Sequence, residues 1–306
     1  MTLNRTRHLD SYVAIEELSS EHPEYPVSVM CEILGINRAA YYKWKNHANS
    51  KNDDLNELIA EKILKIHGEH PDMGYRRIRD TLEHDHDINV NDKRILRVCR
   101  KKKVQSYIKH KYNCCTKPAS DPAYIAENVL NRDFKSDKPN EKWLTDVSEF
   151  KYGAGDDEKK RKIYLSVILD LCGKRPVAFE YSDHNDNPLV FNTFDKAVAA
   201  NPGATPLFHS DRGYQYTSKA FRQKIIDAGM TQSMSRVARC IDNGPMEGFW
   251  GIMKREMYYG KKYKTKEELI KAIEEYINYY TNKRVQRNLC VLTPQEFYEK
   301  QLQQAA

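Results

Sequence analysis

Three acids in this chain sit where they could do chemistry: Asp146, Asp211 and Glu247. Asp146 lies in the middle of Trp143-Leu144-Thr145-Asp146-Val147-Ser148-Glu149-Phe150, which reads as a strand. Asp211 ends Phe208-His209-Ser210-Asp211, a short buried strand after Pro206-Leu207. Arg212-Gly213-Tyr214 then turns the chain toward a helix beginning near Thr217 or Ser218. Glu247 follows a loop and opens a helix, and 35 residues separate it from Asp211. Two acids on strands and one on a helix meet only where the fold brings them together. Their mutual repulsion then needs divalent cations to offset it, and hard oxygen ligands suit Mg²⁺.

The stretch around Glu247 shows how such an acid is presented. Asp242 and Asn243 supply cap-type side chains, Gly244 a flexible turn, and Pro245 a first-turn residue that needs no hydrogen-bond donor. Met246, Phe249, Trp250, Met253 and Met257 form one apolar stripe. Glu247 is off that stripe. Lys254, seven residues on, returns to nearly the same face at about 100° per residue. A carboxylate and an ammonium therefore share one edge of a helix anchored on its other side. Alone, this reads equally as a surface helix with a solvated Glu and Lys.

The words around the acids are more specific. Trp-Leu-Thr-Asp at 143–146, His-Ser-Asp-Arg-Gly-Tyr-Gln-Tyr-Thr-Ser at 209–218 and Asp-Asn-Gly-Pro-Met-Glu at 242–247 occur in that order. The triad resembles the Asp-Asp-Glu triad of retroviral-integrase-like transposases, and the chain is similar to the OrfB transposases of bacterial insertion sequences with two overlapping frames. The likeness runs from Tyr41-Tyr42-Lys43-Trp44 to Leu292-Thr293-Pro294. Two departures stand out: Ser235-Arg236-Val237-Ala238-Arg239 lacks a glycine often seen there, and Gly248 replaces a more usual serine. The resemblance implies an α/β, ribonuclease-H-like catalytic domain behind all-α helix-turn-helix modules. It implies phosphoryl transfer at DNA ends, with Asp146 and Asp211 bridging or flanking two Mg²⁺ (or Mn²⁺) ions and Glu247 completing one shell. Hydrolysis frees a 3′-hydroxyl, which attacks a second phosphodiester in a copy-out, paste-in cycle through a circular intermediate. The implied partners are double-stranded DNA (element ends and target), further copies of the chain on that DNA, and an upstream OrfA product, separate or fused. No leucine-zipper heptads here would replace OrfA. Two other readings share these features: a ribonuclease-H-like nuclease without strand transfer, and a helix-turn-helix DNA-binding regulator.

The elements that must position the acids follow from the rest of the chain. A net charge of +7 with 40% hydrophobic and 30% charged residues fits a soluble, mildly basic protein. No apolar run approaches the roughly 20 residues of a membrane span. The first twenty residues mix Arg, His, Asp and Glu and form no signal peptide. Seven scattered cysteines, with Cys114-Cys115 the only close pair, suit a reducing cytoplasm, where a DNA enzyme would associate with the nucleoid.

Residues 1–50 suggest a helix-turn-helix or a plain helical hairpin: a helix over Val27–Leu34 with Val29, Met30, Ile33 and Leu34 inward, a turn at Gly35, and a second helix capped by Asn37. Residues 51–115 read as a second helical, DNA-binding module. Its stripes are Leu55, Leu58, Ile59, Ile63 and Ile66, then Tyr75, Ile78 and Leu82, then Ile95, Leu96 and Val98. Arg76, Arg77 and Arg79 are expected to be exposed. Nine Lys or Arg crowd 92–112 against the single acid Asp92: Lys93, Arg94, Arg97, Arg100, Lys101, Lys102, Lys103, Lys109 and Lys111, interleaved with Tyr107 and Tyr112. This is either a phosphate footprint or a solvated basic face. The candidate DNA contacts are Lys254, Arg76, Arg77, Lys93, Arg94, Arg97, Arg100, Lys101, Lys102 and Lys103.

Residues 116–139 read as a linker wrapped on the next domain, and 140–260 as the catalytic core. There the Asp146 strand is followed by a charged hairpin from Gly153 to Lys162, an apolar central strand at Ile163–Leu169 and a third strand through Val177, Phe179 and Tyr181. A helix at Pro188–Ala199, the Asp211 strand, a helix at Thr217–Ala228, a strand at Thr231–Met234 and the Glu247 helix complete a mixed sheet in ribonuclease-H-like order. Asp170 reads as a structural acid. Residues 261–306 form a helical extension with capping boxes at Thr265/Glu268 and Thr293/Glu296. Tyr276, Tyr279, Tyr280, Lys283, Arg284 and Arg287 either touch DNA or decorate a docking helix.

Overall fold

The structure is a computed structural model that describes residues 8–46, 51–108, 124–153, 161–236 and 240–305. The Cys114-Cys115 pair, the basic-run residues Lys109, Lys111 and Tyr112, the first part of the 116–139 linker, most of the charged hairpin (154–160) and Val237-Ala238-Arg239 lie outside the described residues. Among the described residues no helix is long and apolar enough to cross a membrane.

The chain divides into two units, Met1–Glu61 and Lys62–Ala306, with the boundary inside helix α4 (Lys51–Glu69). In the first unit, α1 (Leu9–Glu21), α2 (Val27–Ile33) and α3 (Arg38–Lys45) close a small core of Tyr12, Ile15, Met30, Cys31, Ile36 and Tyr41. Gly35 makes the turn at φ +62°, a backbone state that favours glycine. The Asn37 side chain caps α3 by accepting from Ala39 N at 2.8 Å. The inward face of α2 differs from expectation. Met30 and Cys31 are buried, whereas Val29, Ile33 and Leu34 are exposed. In a two-turn helix, periodicity constrains the inward face weakly, and here packing on α1 decides it.

The second unit is built on a five-stranded mixed sheet of order β3-β2-β1-β4-β5, made by β1 (Lys142–Tyr152), β2 (Arg161–Asp170), β3 (Arg175–Ser182), β4 (Leu207–Ser210) and β5 (Thr231–Met234). β1–β2 and β2–β3 run antiparallel, and β1–β4 and β4–β5 run parallel. Strands covered on both faces need apolar residues at successive positions, which the Ile163–Leu169 run supplies. On one face, Leu144, Phe150, Ile163, Leu165, Val167 and Leu169 pack against α9 (Gly244–Met253) and α10 (Lys266–Asn282). On the other, Trp143, Ile168 and Phe208 pack against α7 (Asn187–Ala200) and α8 (Lys219–Asp227). Asp186 caps α7 and Ser218 caps α8, so α8 starts two residues after the expected Thr217. Tyr124, Ala126 and Leu130 pack into the two cores. Asp170 closes β2 by accepting from Asn140 N at 2.8 Å and Cys172 N at 2.9 Å, and burial pushes its carboxyl up to about 6.

Helices α5 (Tyr75–His86) and α6 (Asp92–Lys101) belong to this same unit, and ion pairs tie them to it. Beyond α9, a π-helical turn at Lys254–Tyr258 carries Glu256. Its carboxylate accepts from Arg77 at 2.9 Å, from Arg284 at 2.8 Å and from the Tyr276 hydroxyl at 2.9 Å. Burial alone would raise Glu256, but Arg284 and Arg77 more than offset it and hold it below the ordinary carboxylate range. Arg77 also pairs with Asp72 at 2.7 Å and reaches the Tyr279 hydroxyl at 2.9 Å. The expected exposure of Arg77 is therefore corrected: its charge is committed inside the protein. Arg79, also expected outside, pairs with Asp80 and Glu83. Arg287 spans Asp80 at 2.7 Å and Asp92 at 3.0 Å. Of the two readings for the C-terminal tyrosines and arginines, docking is the one these contacts support. Both expected capping boxes form, with Glu268 N and Glu296 N each 3.2 Å from the Thr265 and Thr293 hydroxyls that accept from them.

His209 offers a test of this packing. It is fully buried between β4 and β5, with Nδ1 2.9 Å from the Ser233 hydroxyl and Nε2 3.1 Å from that of Ser235. Burial depresses its pKa to about 4. A depressed histidine pKa means the unfolded chain binds the extra proton, so stability is full above about pH 6.5 and falls as pH drops toward 4. Between pH 7 and 4.5, wild type should lose about 2–3 kcal/mol more than His209→Gln, which bonds without titrating. Urea unfolding across that range measures the difference, and parallel curves for the two proteins would contradict it.

Candidate active site

Strand alternation places Asp146 on the same face of β1 as Leu144 and Phe150, beneath α9. Asp211 follows the last residue of β4, the parallel neighbour of β1, where His209 pairs with Leu144. Its Oδ1 accepts from Gly213 N at 2.9 Å, folding the loop back on the carboxylate. A Cβ at Gly213 would lie 3.0 Å from both Asp211 Oδ1 and Gln215 Oε1, so only glycine leaves this turn undisturbed. Glu247 stands on the first turn of α9 with its side chain exposed.

The electrostatics tie these acids together. Burial raises the Asp146 carboxyl most, the Asp211 charge raises it further, and Glu247 adds to the effect. The Val147 N–H and the Trp250 indole pull the other way without cancelling it. Burial also raises Asp211, and desolvation raises Glu247. Among the described residues no group of three or more His, Cys, Asp and Glu is already gathered as a metal shell. Three carboxylates brought together repel one another, and a divalent cation offsets that repulsion. As a donor set, three carboxylate oxygens fit a hard divalent cation and no soft one.

From the N-cap of α9 to the π-helical turn that follows it, three side chains reach β1: Asn243, Trp250 and Lys254. Asn243 Nδ2 donates to the Thr145 carbonyl at 3.2 Å, and Trp250 Nε1 donates to Asp146 Oδ2 at 3.0 Å. Lys254 Nζ sits 5.1 Å from the Phe150 ring centroid. Burial lowers its pKa, against the opposing charges of Asp146 and Glu149. Lys254, in the π-helical turn beyond α9, feels the Asp146 charge, while Glu247 stands exposed on the first turn of α9. The expected capping does not form. Asn243 makes no side-chain cap and reaches β1 instead. The fully buried Asp242 accepts from Arg236 at 2.8 Å, Arg132 at 2.6 Å and Asn128 at 3.0 Å. Arg236 foremost holds it well below the usual carboxylate range. Periodicity had placed Trp250 only in the apolar stripe. The available signal was that a buried indole N–H needs an acceptor.

The cationic candidates fall into three groups. On α6, Lys93, Arg97, Arg100 and Lys101 are exposed along one face, opposite the buried Ile95, Val98 and Cys99. Lys102 and Lys103 extend this surface, Tyr107 stands exposed beyond them, and Arg76 is exposed on α5. Arg94 is half-buried, and Arg77 is turned inward on Glu256. Lys254 alone adjoins the acids.

Two integrase core domain profiles match residues 136–240 and 247–302, and an HTH-like domain profile matches residues 54–112. A transposase-like protein of Haemophilus influenzae is 36% identical over 224 residues, covering 70% of this chain and 96% of that protein. The putative transposase InsK for insertion sequence element IS150 of Escherichia coli is 34% identical over 277 residues, covering 89% and 93%. Among solved structures, the HTLV-2 integrase catalytic core domain aligns at 20% identity with a TM-score of 0.41, over 53% of this chain and 97% of that one.

A site held together against its own repulsion should gain stability when one charge is removed. In metal-free buffer at pH 8, Asp146→Asn should raise stability by about 1–2 kcal/mol, because relieving a pKa shift of one unit is worth about 1.4 kcal/mol. Manganese should then narrow the gap by stabilising only the wild type. Melting curves with EDTA and with manganese test this. A variant that melts below wild type in EDTA would show that the acids are not in repulsion.

Proposed function

The chain belongs to the insertion-sequence transposases that carry an integrase core, and we propose that it cleaves and joins DNA ends at a divalent-metal site held by Asp146, Asp211 and Glu247. The observation that carries this reading is the crowding at Asp146 beside the Asp211 strand end, where the carboxyl is raised first by burial, then by the Asp211 charge and least by Glu247. Such a cluster is unfavourable for the fold and useful to a cation.

Asp146 and Asp211 would hold Mg²⁺ or Mn²⁺ between neighbouring strands, and Glu247 would complete the shell from α9. Two ions suit the displacement best, since attacking and leaving oxygens both need stabilising. When bound, the metal supplies Lewis-acid activation of the attacking water or 3′-hydroxyl and stabilises the leaving oxygen. No side chain needs to become a covalent intermediate. Lys254 would take a phosphate next to the scissile bond, since its shielded ammonium lies on the Asp146 edge of α9. The exposed face of α6, with Arg76, Lys102 and Lys103, would grip the duplex backbone of an element end. Arg77 is left out of this contact set, because its charge is already bound by Glu256 and Asp72. End joining requires two DNA ends and a target, so further copies of the chain would share the working assembly, either alone or with an OrfA partner or fusion.

Asp146→Asn, Asp211→Asn or Glu247→Gln should each abolish manganese-dependent cleavage and joining of element ends while the protein stays folded. Lys254→Ala should weaken end cleavage at an unchanged melting temperature, with only partial rescue by Lys254→Arg, whose planar fork does not replace a point charge. A folded Asp211→Asn protein that still joins ends would overturn the site.

Combined Lys93→Ala, Arg97→Ala and Lys101→Ala should lower duplex affinity for all sequences alike. It should also reduce the slope of log affinity against log salt by about 2–3, near 0.9 for each phosphate that is no longer neutralised. An unchanged slope would remove α6 from the interface.

A further inference from the structure

We propose that Trp250 is a positioning residue for the Asp146 carboxylate, an inference that rests on Asp146 being a metal ligand. The indole Nε1–H donates to Asp146 Oδ2 at 3.0 Å. The ring is nearly buried at 7% exposure and is locked edge-on against Phe150 (6.3 Å, 67°) and Phe249 (5.2 Å, 63°). Its donor therefore arrives from a fixed direction.

The choice of donor matters. An indole N–H donates one hydrogen bond, accepts none and carries no charge. It can orient a carboxylate without neutralising it, so the full negative charge stays available to a cation. An Arg or Lys in its place would pair with Asp146 and compete with the metal. Lys254, one turn further along α9, feels the Asp146 charge. A carboxylate free to rotate would be drawn toward that ammonium, and the indole bond holds Oδ2 back from it.

The same hydrogen bond sets helix register. Trp250 lies three residues after Glu247, so one bond from β1 fixes the rotation of α9 and with it the direction in which Glu247 projects. Asn243 anchors the start of the same face by donating to the Thr145 carbonyl at 3.2 Å, one residue before Asp146. Two donors, Asn243 at the N-cap and Trp250 on α9, thus bracket Glu247 and hold β1 at the Thr145 carbonyl and the Asp146 carboxylate.

The test separates orientation from packing. Trp250→benzothienylalanine keeps the ring shape and removes the N–H, and Trp250→Phe removes it with a smaller ring. Manganese alone is the probe, titrated by calorimetry into the full chain without DNA, followed by steady-state end cleavage and thermal melting. The expected result is a loss of manganese affinity of about tenfold or more, the usual effect of removing a partner that orients a metal ligand. It is accompanied by a lower kcat, an unchanged KM for DNA and a melting temperature within about 2 °C of wild type. Wild-type manganese affinity and kcat in both variants would overturn the positioning role. Asp146→Ala run alongside distinguishes the two failures: if it binds manganese like wild type, the metal site itself is wrongly placed, whatever Trp250 does.

Discussion

The structure depends on keeping like charges close. Asp146 and Asp211 come from neighbouring parallel strands, with Glu247 in the same field, and burial raises the energy of each charge. A fold gains nothing from this arrangement, and it persists only because the surrounding elements leave the acids no alternative. β1 is sandwiched between two apolar layers. The β4 end is pinned by His209, bonded to serines on both ring nitrogens, and by the tight turn at Gly213. The strain is concentrated at the site and compensated by packing elsewhere, a familiar division where function demands unfavourable groups.

Three attachments fix helix α9 in this balance. Asn243 and Trp250 hold its inner face to β1, and Asp242 gathers Arg236, Arg132 and Asn128 around its entry. At the far end, Glu256 takes Arg77 from α5 and Arg284 from beyond α10. Helix α5, the neighbour of the basic helix α6, is therefore tied by an ion-pair cluster to the segment that follows the Glu247 helix. Removing one partner of a buried pair costs about 3–5 kcal/mol, so this cluster is a strong joint between these elements. Arg287, bridging Asp80 and Asp92, repeats the connection on the outer side.

Much of this was legible in the sequence, and the failures share a cause. The strand at 231–234, the alternation of β3, the apolar run of β2 and both capping boxes are local patterns, and local patterns survive folding. The family was legible because the words around the three acids and their spacing are specific. Arg77 was misplaced because a one-dimensional helix pattern cannot see that Glu256, 179 residues away, meets it. Val29 and Ile33 were misplaced because a seven-residue helix carries too few turns to define its face. Trp250 and Asn243 were classed by their usual roles, core and cap, whereas tertiary partners gave both a hydrogen bond to β1.

The central claim is that three repelling carboxylates form one cation site. Anomalous diffraction from crystals of the full chain grown with millimolar manganese tests it most directly. The account predicts anomalous density touching both the Asp146 and Asp211 carboxylates, with Glu247 turned in from α9 and Trp250 Nε1 still on Oδ2. Manganese bound elsewhere, with Asp146 instead paired to Lys254, would contradict it.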